Sequence, residues 1–330
     1  MSDWTPAAVR AAAAEWVWVP PDAERVLTRE YQLIAYPAHY QHPTQVAWSS
    51  AARPAGELIE EVLSQVSAWG RDSVYWWVRD DTAPADTEAV LQARGATLTE
   101  TVQVLGYDLA NGVPELNLAD GPQAELVRDE RTLRASHLVT AEVWDDHRER
   151  TPAAIAEELS GVLEALESWS DYRIVVFVDG QPAAGGGCSI VGEVARLWGA
   201  GTRPSFRGRG AYRELLAERI RIAKQHGATL ALVKGRVETS GPILRRAGFT
   251  PYAEERSYCV PAPGCGALRR ALGPATQPQA SGKELGTDDC RLFCDAARRR
   301  GGRRRIRGRC GPSRARERAA EPDRCYVHHD

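Results

Sequence analysis

The sequence predicts an α/β sandwich: a mixed central sheet flanked by helices. Three observations carry that prediction. Apolar residues change repeatedly from a helical period to short continuous or alternating strand runs, as where AYRELLAERIRIAKQHG (211–227) gives way to TLALVKGR (229–236). Strands enclose the longer helices, which is the order of a layered α/β fold. An order of loop, amphipathic helix, glycine and strand occurs twice along the chain.

At 330 residues the chain has room for two compact domains and a tail. Its 43% apolar and 26% charged residues are ordinary for a globular protein able to bury a sizeable core. Three zones are expected. Residues 1–112 mix helical and strand patterns and end at the turn-like Asn111-Gly112-Val113-Pro114. Residues 115–262 do the same at greater length. From residue 263 onward the apolar periodicity stops, and runs such as ARRRGGRRRIRGR appear with five of the seven cysteines.

The elements of the second zone follow in order. QAELVRD (123–129) reads as a first strand, and DERTLRASHLVTAEVW (129–144) and PAAIAEELSGVLEALESW (152–169) carry helical spacing. Thr151-Pro152 is a helix start, because proline at the first helical position gives up an N–H that has no partner there anyway. YRIVVFVDG (172–180) is a strand, and Asp179-Gly180 turns it into PAAGGGCSI (182–190). EVARLWGAGT (193–202) is the next strand. In the helix 211–227, Tyr212, Leu215, Leu216, Arg219, Ile220 and Ala223 share one face, Arg219 at its edge with the stem packed, and Gly227 suits the C-cap. The strand 229–236, a short helix PILRRAGF (242–249) and a last strand ERSYCV (255–260) complete the zone.

The first zone repeats the back half of the second. RPAGELIEEVLSQVSAWGRDSVYWWVRD tracks FRGRGAYRELLAERIRIAKQHGATLALVKGR, and LQARGATLTETVQVLGYDL (91–109) tracks LRRAGFTPYAEERSYCV (244–260). A tandem pair of related units is expected, although any two βαβ-like segments share some of this order. Trp48, Trp69, Trp76, Trp77 and Tyr75 in the first unit read as core and inter-unit contacts rather than as a ligand cage.

The net charge of −2 hides an asymmetry, since residues 263–330 hold 16 Lys and Arg against 8 Asp and Glu, leaving −10 for residues 1–262. An acidic body gives no general reason to bind nucleic acid. The first twenty residues lack a basic cluster ahead of an apolar core, and no run of about 18 apolar residues occurs, so neither a signal peptide nor a membrane span is expected. With only Cys188 and Cys259 outside the tail, a reducing, cytoplasmic setting fits. The tail is expected to be disordered, having too few apolar residues to build a core. A frameshifted GC-rich gene would give the same composition. Metal binding through Cys290, Cys294, Cys310, Cys325, His328 and His329 matches no compact zinc spacing, so no metal is expected. Nucleic-acid attachment through the arginine runs is the other reading of the tail.

The chemistry concentrates in WGAGTRPSFRGRGAYRELL (198–216), where a strand runs into a glycine loop that opens a helix. A pyrophosphate needs converging backbone N–H groups without side chains in the way, and a helix N-terminus adds partial positive charge. Gly208 and Gly210 allow close backbone approach, and Arg207 and Arg209 can neutralise phosphate. A solvated basic loop is the plain alternative.

Arg207-Gly208-Arg209-Gly210-Ala211-Tyr212 resembles the Arg/Gln-x-x-Gly-x-Gly/Ala signature of the GNAT acetyltransferase superfamily, departing at Tyr212. LRRAGF (244–249) is similar to the family's helix leading to a closing Gly-Phe. The resemblance implies a GNAT fold and transfer of an acetyl group from acetyl-CoA, as co-substrate, to a primary amine of a small molecule or peptide within a ternary complex. It implies coenzyme A contacts from Arg207 through Tyr212 and, along the splayed strand, from Gly201 and Thr202. Such catalysis is mostly orientation, with the amine needing only to lose a proton. Many relatives carry a tyrosine acid where this chain has Leu244, so Tyr212, Tyr252 and Tyr258 become candidates, each with a structural role as alternative. Glu193 stands where some relatives carry a base, or is a surface carboxylate. Asp145, Asp146 and His147, in the patch between the first two helices of the zone, stand where relatives shape the acceptor site, or form a solvated loop. In the first unit the corresponding loop, Ser50–Gly56, contains Pro54 and only one glycine, so that unit is expected to be a degenerate copy supplying packing surface or a wall of the acceptor site. A GNAT-fold module that holds acyl-CoA without turnover, or a nucleic-acid-associated protein directed by its tail, are the other functions the sequence allows.

Overall fold

The computed structural model describes residues 4–263, apart from 22, 39, 41 and 119. The expectations for residues 264–330 (disorder, metal ligands, nucleic-acid contacts) lie outside the described residues.

In chain order the first half contains α1 (Pro6–Ala14), β1 (Glu24–Leu27), β2 (Tyr31–Ala35), β3 (Thr44–Ser49), α2 (Ala55–Ala68), β4 (Ser73–Val78), α3 (Thr87–Ala93) and β5 (Thr97–Asp108). The second half contains β6 (Gln123–Leu126), α4 (Glu130–Trp144), α5 (Pro152–Ser168), β7 (Asp171–Val178), β8 (Gln181–Val191) and β9 (Val194–Thr202). After these come α6 (Ala211–Gln225), β10 (Leu230–Arg236), α7 (Ser240–Arg246) and β11 (Thr250–Pro261). The helix starts are set locally. Thr151 accepts from Ala154 N with Pro152 at the first helical position, and Asp129 forms a reciprocal capping box with Thr132. The β7–β8 hairpin turns at Asp179 and Gly180, both at positive φ (53° and 73°), as a two-residue hairpin requires.

All strands join one 11-stranded mixed sheet in the order β1-β2-β3-β4-β11-β5-β10-β9-β8-β7-β6. Its centre shows a strand exchange. β5, from the first half, pairs antiparallel with β10 over Leu230–Arg236, while β11, the last strand, pairs antiparallel with β4. The two exchanged strands also pair with each other. Flanking them, β3–β4 and β9–β10 are both parallel pairs, so the helix–strand–helix–strand order of residues 55–108 recurs in 211–261.

The exchange extends to the cores. Leu105 of β5 and Leu109 just after it are fully buried with Leu215, Leu216, Ile220, Leu244 and Phe249 of the second half. Reciprocally, Tyr258 and Val260 of β11 pack with Leu58, Ile59 and Trp76 of the first half. β11 starts at Thr250, earlier than the strand pattern suggested, because its first residues pair with β5 before β4 joins its other side at Arg256. Another cluster joins Val9 and Ala13 of α1 to Val104, Leu230 and Leu232 on the opposite face of the sheet from α6.

Candidate functional site

The parallel pairing of β9 and β10 ends at Leu197 and Val233, yet β9 runs on to Thr202 and β10 to Arg236. The strands part because β9 is drawn toward β8, with a register shift around Gly185–Gly187, while β10 stays with β5. The close approach of β8 and β9 is possible only at glycine, since a Cβ on Gly187 would fall 2.1 Å from the Trp198 ring.

A cavity of about 350 Å³ occupies the parting. Leu197, Val233, Tyr212 and Ser240 line it from the α6–α7 side. Lys234 and Glu255 line it from the side of α1, Lys234 following Leu232 by one strand period. The cavity therefore connects both faces of the sheet. Trp198, Gly199 and Ala200 of β9 also line it, and the rest of the wall comes from the first half: Trp16, Val17 and Trp18 after α1, Tyr36, Gln45 and Ala47 around β3, and Trp77 of β4. Trp76 is core, as its neighbours suggested, but Trp77 alternates to the other face and reaches the cavity.

Lys234 Nζ donates to Glu255 Oε2 at 2.9 Å, and the Glu255 side chain is almost fully buried. Tyr36 Oη donates to the Trp18 carbonyl at 2.7 Å, fixing the aromatic wall, and burial pushes the Tyr36 phenol up to about 12. Neither this pair nor the aromatic wall belongs to a recognisable motif. The nearest signal was a charged residue at an inward position of a strand, as in TLALVKGR.

Beyond β9, a 3-10 turn (Pro204–Phe206) leads to Gly208 (φ 76°) and Gly210 (φ 84°). A Cβ on Gly208 would meet nothing within 4 Å, and Gly210 caps α6 without any side-chain hydrogen bond. The first N–H groups of this 15-residue helix thus have no side-chain acceptor. Arg207 and Arg209 are exposed; Arg209 Nη2 donates to Asp179 Oδ2 at 2.5 Å. Ala211 is buried under the helix start. Gly201 is buried, a Cβ there falling 2.5 Å from Val143 Cγ1, and Thr202 Oγ1 is buried with no hydrogen-bond partner. An open glycine loop, an uncapped helix N-terminus and an orphan hydroxyl beside a parted strand fit a pyrophosphate joined to an extended amide-bearing arm. Of Gly201, Thr202 and Arg207 through Tyr212, Tyr212 lines the cavity, and Gly201 and Thr202 follow its lining residues Gly199 and Ala200 along β9.

The equivalent loop of the first half has no such opening. Pro54 caps α2, Ala51 N donates to the Ala83 carbonyl, and Arg53 is held by Glu30 and Glu61.

Behind the cavity lies a residue whose burial exceeds the sequence expectation. Arg219 is fully buried, guanidinium included, rather than placed at the edge of its helix face. Its Nη1 donates to the Gly187 and Trp198 carbonyls, and its Nη2 has no partner. Tyr212, two turns earlier on the same face, adjoins it: burial raises the phenol's pKa, and the Arg219 cation opposes that rise.

Other residues singled out from the sequence sit elsewhere. Glu193 is exposed at the opposite end of β9 from the cavity, where Thr229 Oγ1 lies 3.5 Å away. Asp145 and His147 are exposed and face each other, and Asp146 is held between Arg148 and Arg150, which keep its carboxyl well below the usual range. Tyr258 bonds Glu88, Tyr252 packs beside α1, and Leu244 is core. Among the described residues there is no helix long and apolar enough to cross a membrane, and no cluster of three or more His, Cys, Asp or Glu suited to a metal.

The sequence model of the acetyltransferase (GNAT) family matches residues 137–249. A comparison with curated proteins gives no match. Among solved structures, a GCN5-related N-acetyltransferase from Kribbella flavida superposes with a TM-score of 0.54 at 18% identity, covering 78% of this chain and 95% of its own. One from Sphaerobacter thermophilus gives 0.53 at 15%, covering 72% and 82%. A tandem GNAT protein from the clavulanic acid biosynthesis pathway gives 0.50 at 15%, covering 80% and 88%. At such identities the likeness is one of fold.

Proposed function

We propose that this chain, whose residues 137–249 match the model of the acetyltransferase (GNAT) family, transfers an acetyl group from acetyl-CoA to a primary amine of a small molecule or peptide. The observation that carries this reading is the cavity at the β9–β10 parting, lined by Tyr212 in the first turn of α6, just after the Gly208–Gly210 loop, and by the aromatic wall of the first half. Donor and acceptor can then meet across the sheet, and most of the rate comes from holding them in line.

Acetyl-CoA supplies the activated thioester when bound. The loop from Arg207 to Tyr212 receives the pyrophosphate on backbone N–H groups and the helix terminus, and Gly201 and Thr202 hold the arm that follows. Glu255 is placed to take the proton the amine loses as the carbon–nitrogen bond forms. Tyr212, with Arg219 behind it, is placed to return a proton to the thiolate as the carbon–sulfur bond breaks. The first half contributes a wall and an exchanged strand, without a donor site of its own. Because Leu244 leaves the usual tyrosine position without a hydroxyl, a module that holds acyl-CoA with little turnover is the second reading.

Calorimetry of acetyl-CoA on the full chain and on Gly210→Glu tests the assignment, alongside CoA release with primary amines. One equivalent bound, weakened about tenfold or more in the variant by a side chain forced to positive φ and a misplaced negative charge, is expected. Two equivalents per chain would overturn the assignment of a single donor site. Binding without CoA release would favour the second reading.

A further inference from the structure

Building on the acetyltransferase reading, we infer that the acceptor is a monoamine carrying an aromatic or similarly flat apolar body, seated against Trp18 and Trp77 with its amino group at the Lys234–Glu255 pair.

The composition of the wall is the first argument. Four of the chain's ten tryptophans, Trp16, Trp18, Trp77 and Trp198, line this cavity, together with Tyr36 and Tyr212. Trp18 is 53% exposed, although an indole of that size is ordinarily buried unless something covers it. Its ring is nonetheless pre-set, stacked on Tyr36 at 6.0 Å and 14° between planes, with its carbonyl held by the Tyr36 hydroxyl. A held aromatic surface facing a cavity binds flat apolar groups at little entropic cost.

Charge is the second argument. Among the described residues, Lys234 and Glu255 are the only charged ones lining the cavity, and they neutralise each other at 2.9 Å. Arg219, buried behind Trp198 and Tyr212 without a carboxylate partner, adds a positive field. Tyr36 stays neutral at ordinary pH and adds no negative charge. A polycationic acceptor would need several unpaired carboxylates to offset its desolvation, and this cavity has none to offer. A single amine can lose its proton beside Glu255 and stay uncharged. At about 350 Å³ the space matches a small amine rather than a folded chain.

The test uses the full chain with acetyl-CoA and three acceptors: 2-phenylethylamine, n-butylamine and spermidine. We expect kcat/KM for 2-phenylethylamine to exceed both others by about tenfold or more. Trp18→Ala, at an exposed loop position, should lower that value about three- to tenfold, the range of one aromatic pair, and leave n-butylamine within about twofold. A fold defect would lower both together. Spermidine preferred, or equal losses for both amines in Trp18→Ala, would overturn the inference while leaving the transferase reading intact. If no amine releases CoA, binding of 2-phenylethylamine is measured directly by tryptophan fluorescence with CoA present. Saturable binding weakened in Trp18→Ala then supports the aromatic seat and removes the transferase reading; no binding removes the inference.

Discussion

The strand exchange makes a quantitative prediction at Leu105. This residue belongs by sequence to the first half, but its side chain is fully buried in the core under α6 and α7. Truncating it to alanine removes three carbons from that core, worth about 2 kcal/mol in transfer free energy. The space left cannot close easily. β5 is hydrogen-bonded to β11 on one side and β10 on the other, and Gly235, where a Cβ would fall 2.9 Å from Leu105 Cδ1, has no side chain to move inward. A cavity term of about 1–2 kcal/mol therefore adds to the loss, giving about 3–4 kcal/mol in all. At about 2–4 °C per kcal/mol for a domain of this size, the melting temperature should fall by roughly 6–16 °C. Urea unfolding followed by tryptophan fluorescence and circular dichroism measures the loss. Leu98→Ala, on the same strand but 54% exposed, is the control and should stay within about 0.5 kcal/mol. Amide exchange should show lost protection in β9, β10 and α6, in the other half of the sequence. A loss below about 1 kcal/mol, or one confined to residues before 112, would refute the exchanged arrangement.

Two further predictions concern proton chemistry. Tyr212→Phe should lower kcat by about a hundredfold while acetyl-CoA affinity stays within about twofold, read from CoA release and calorimetry; an unchanged kcat would remove Tyr212 as proton donor. Glu158, 2.9 Å from His137 Nε2 and accepting from Arg173 Nη1 at 2.6 Å, has its carboxyl lowered to about 2, first by the His137 contact and then by Arg173. A depressed carboxyl stabilises the fold above its unfolded pKa and loses that contribution as pH falls toward the folded one. The Glu158→Gln deficit, about 1–3 kcal/mol at pH 7, should accordingly shrink between about pH 4.5 and 2 in urea titrations. A deficit independent of pH would show that packing rather than charge is responsible.

Much of this protein was legible locally. Capping at Asp129 and Thr151, the Asp179-Gly180 turn and the two glycines before α6 act through hydrogen bonds and dihedrals among neighbouring residues, so the sequence alone places those elements. The order of elements also exposed the repeat. What sequence could not decide is which strand lies beside which. β5 and β11 carry similar apolar patterns, and each could have closed its own half; the exchange depends on pairing energies between segments more than a hundred residues apart. The same long-range placement decides the site. Glu193, singled out because it stands where some relatives carry a base, lies at the far end of β9, whereas Lys234, Glu255 and Trp18 converge because the exchanged strands carry the first half up to the β9–β10 parting. Arg219 shows the limit most directly. Helical periodicity gives its face, but only the carbonyls of Gly187 and Trp198, brought together by the bulged β8–β9 pairing, make full burial of its cation tolerable.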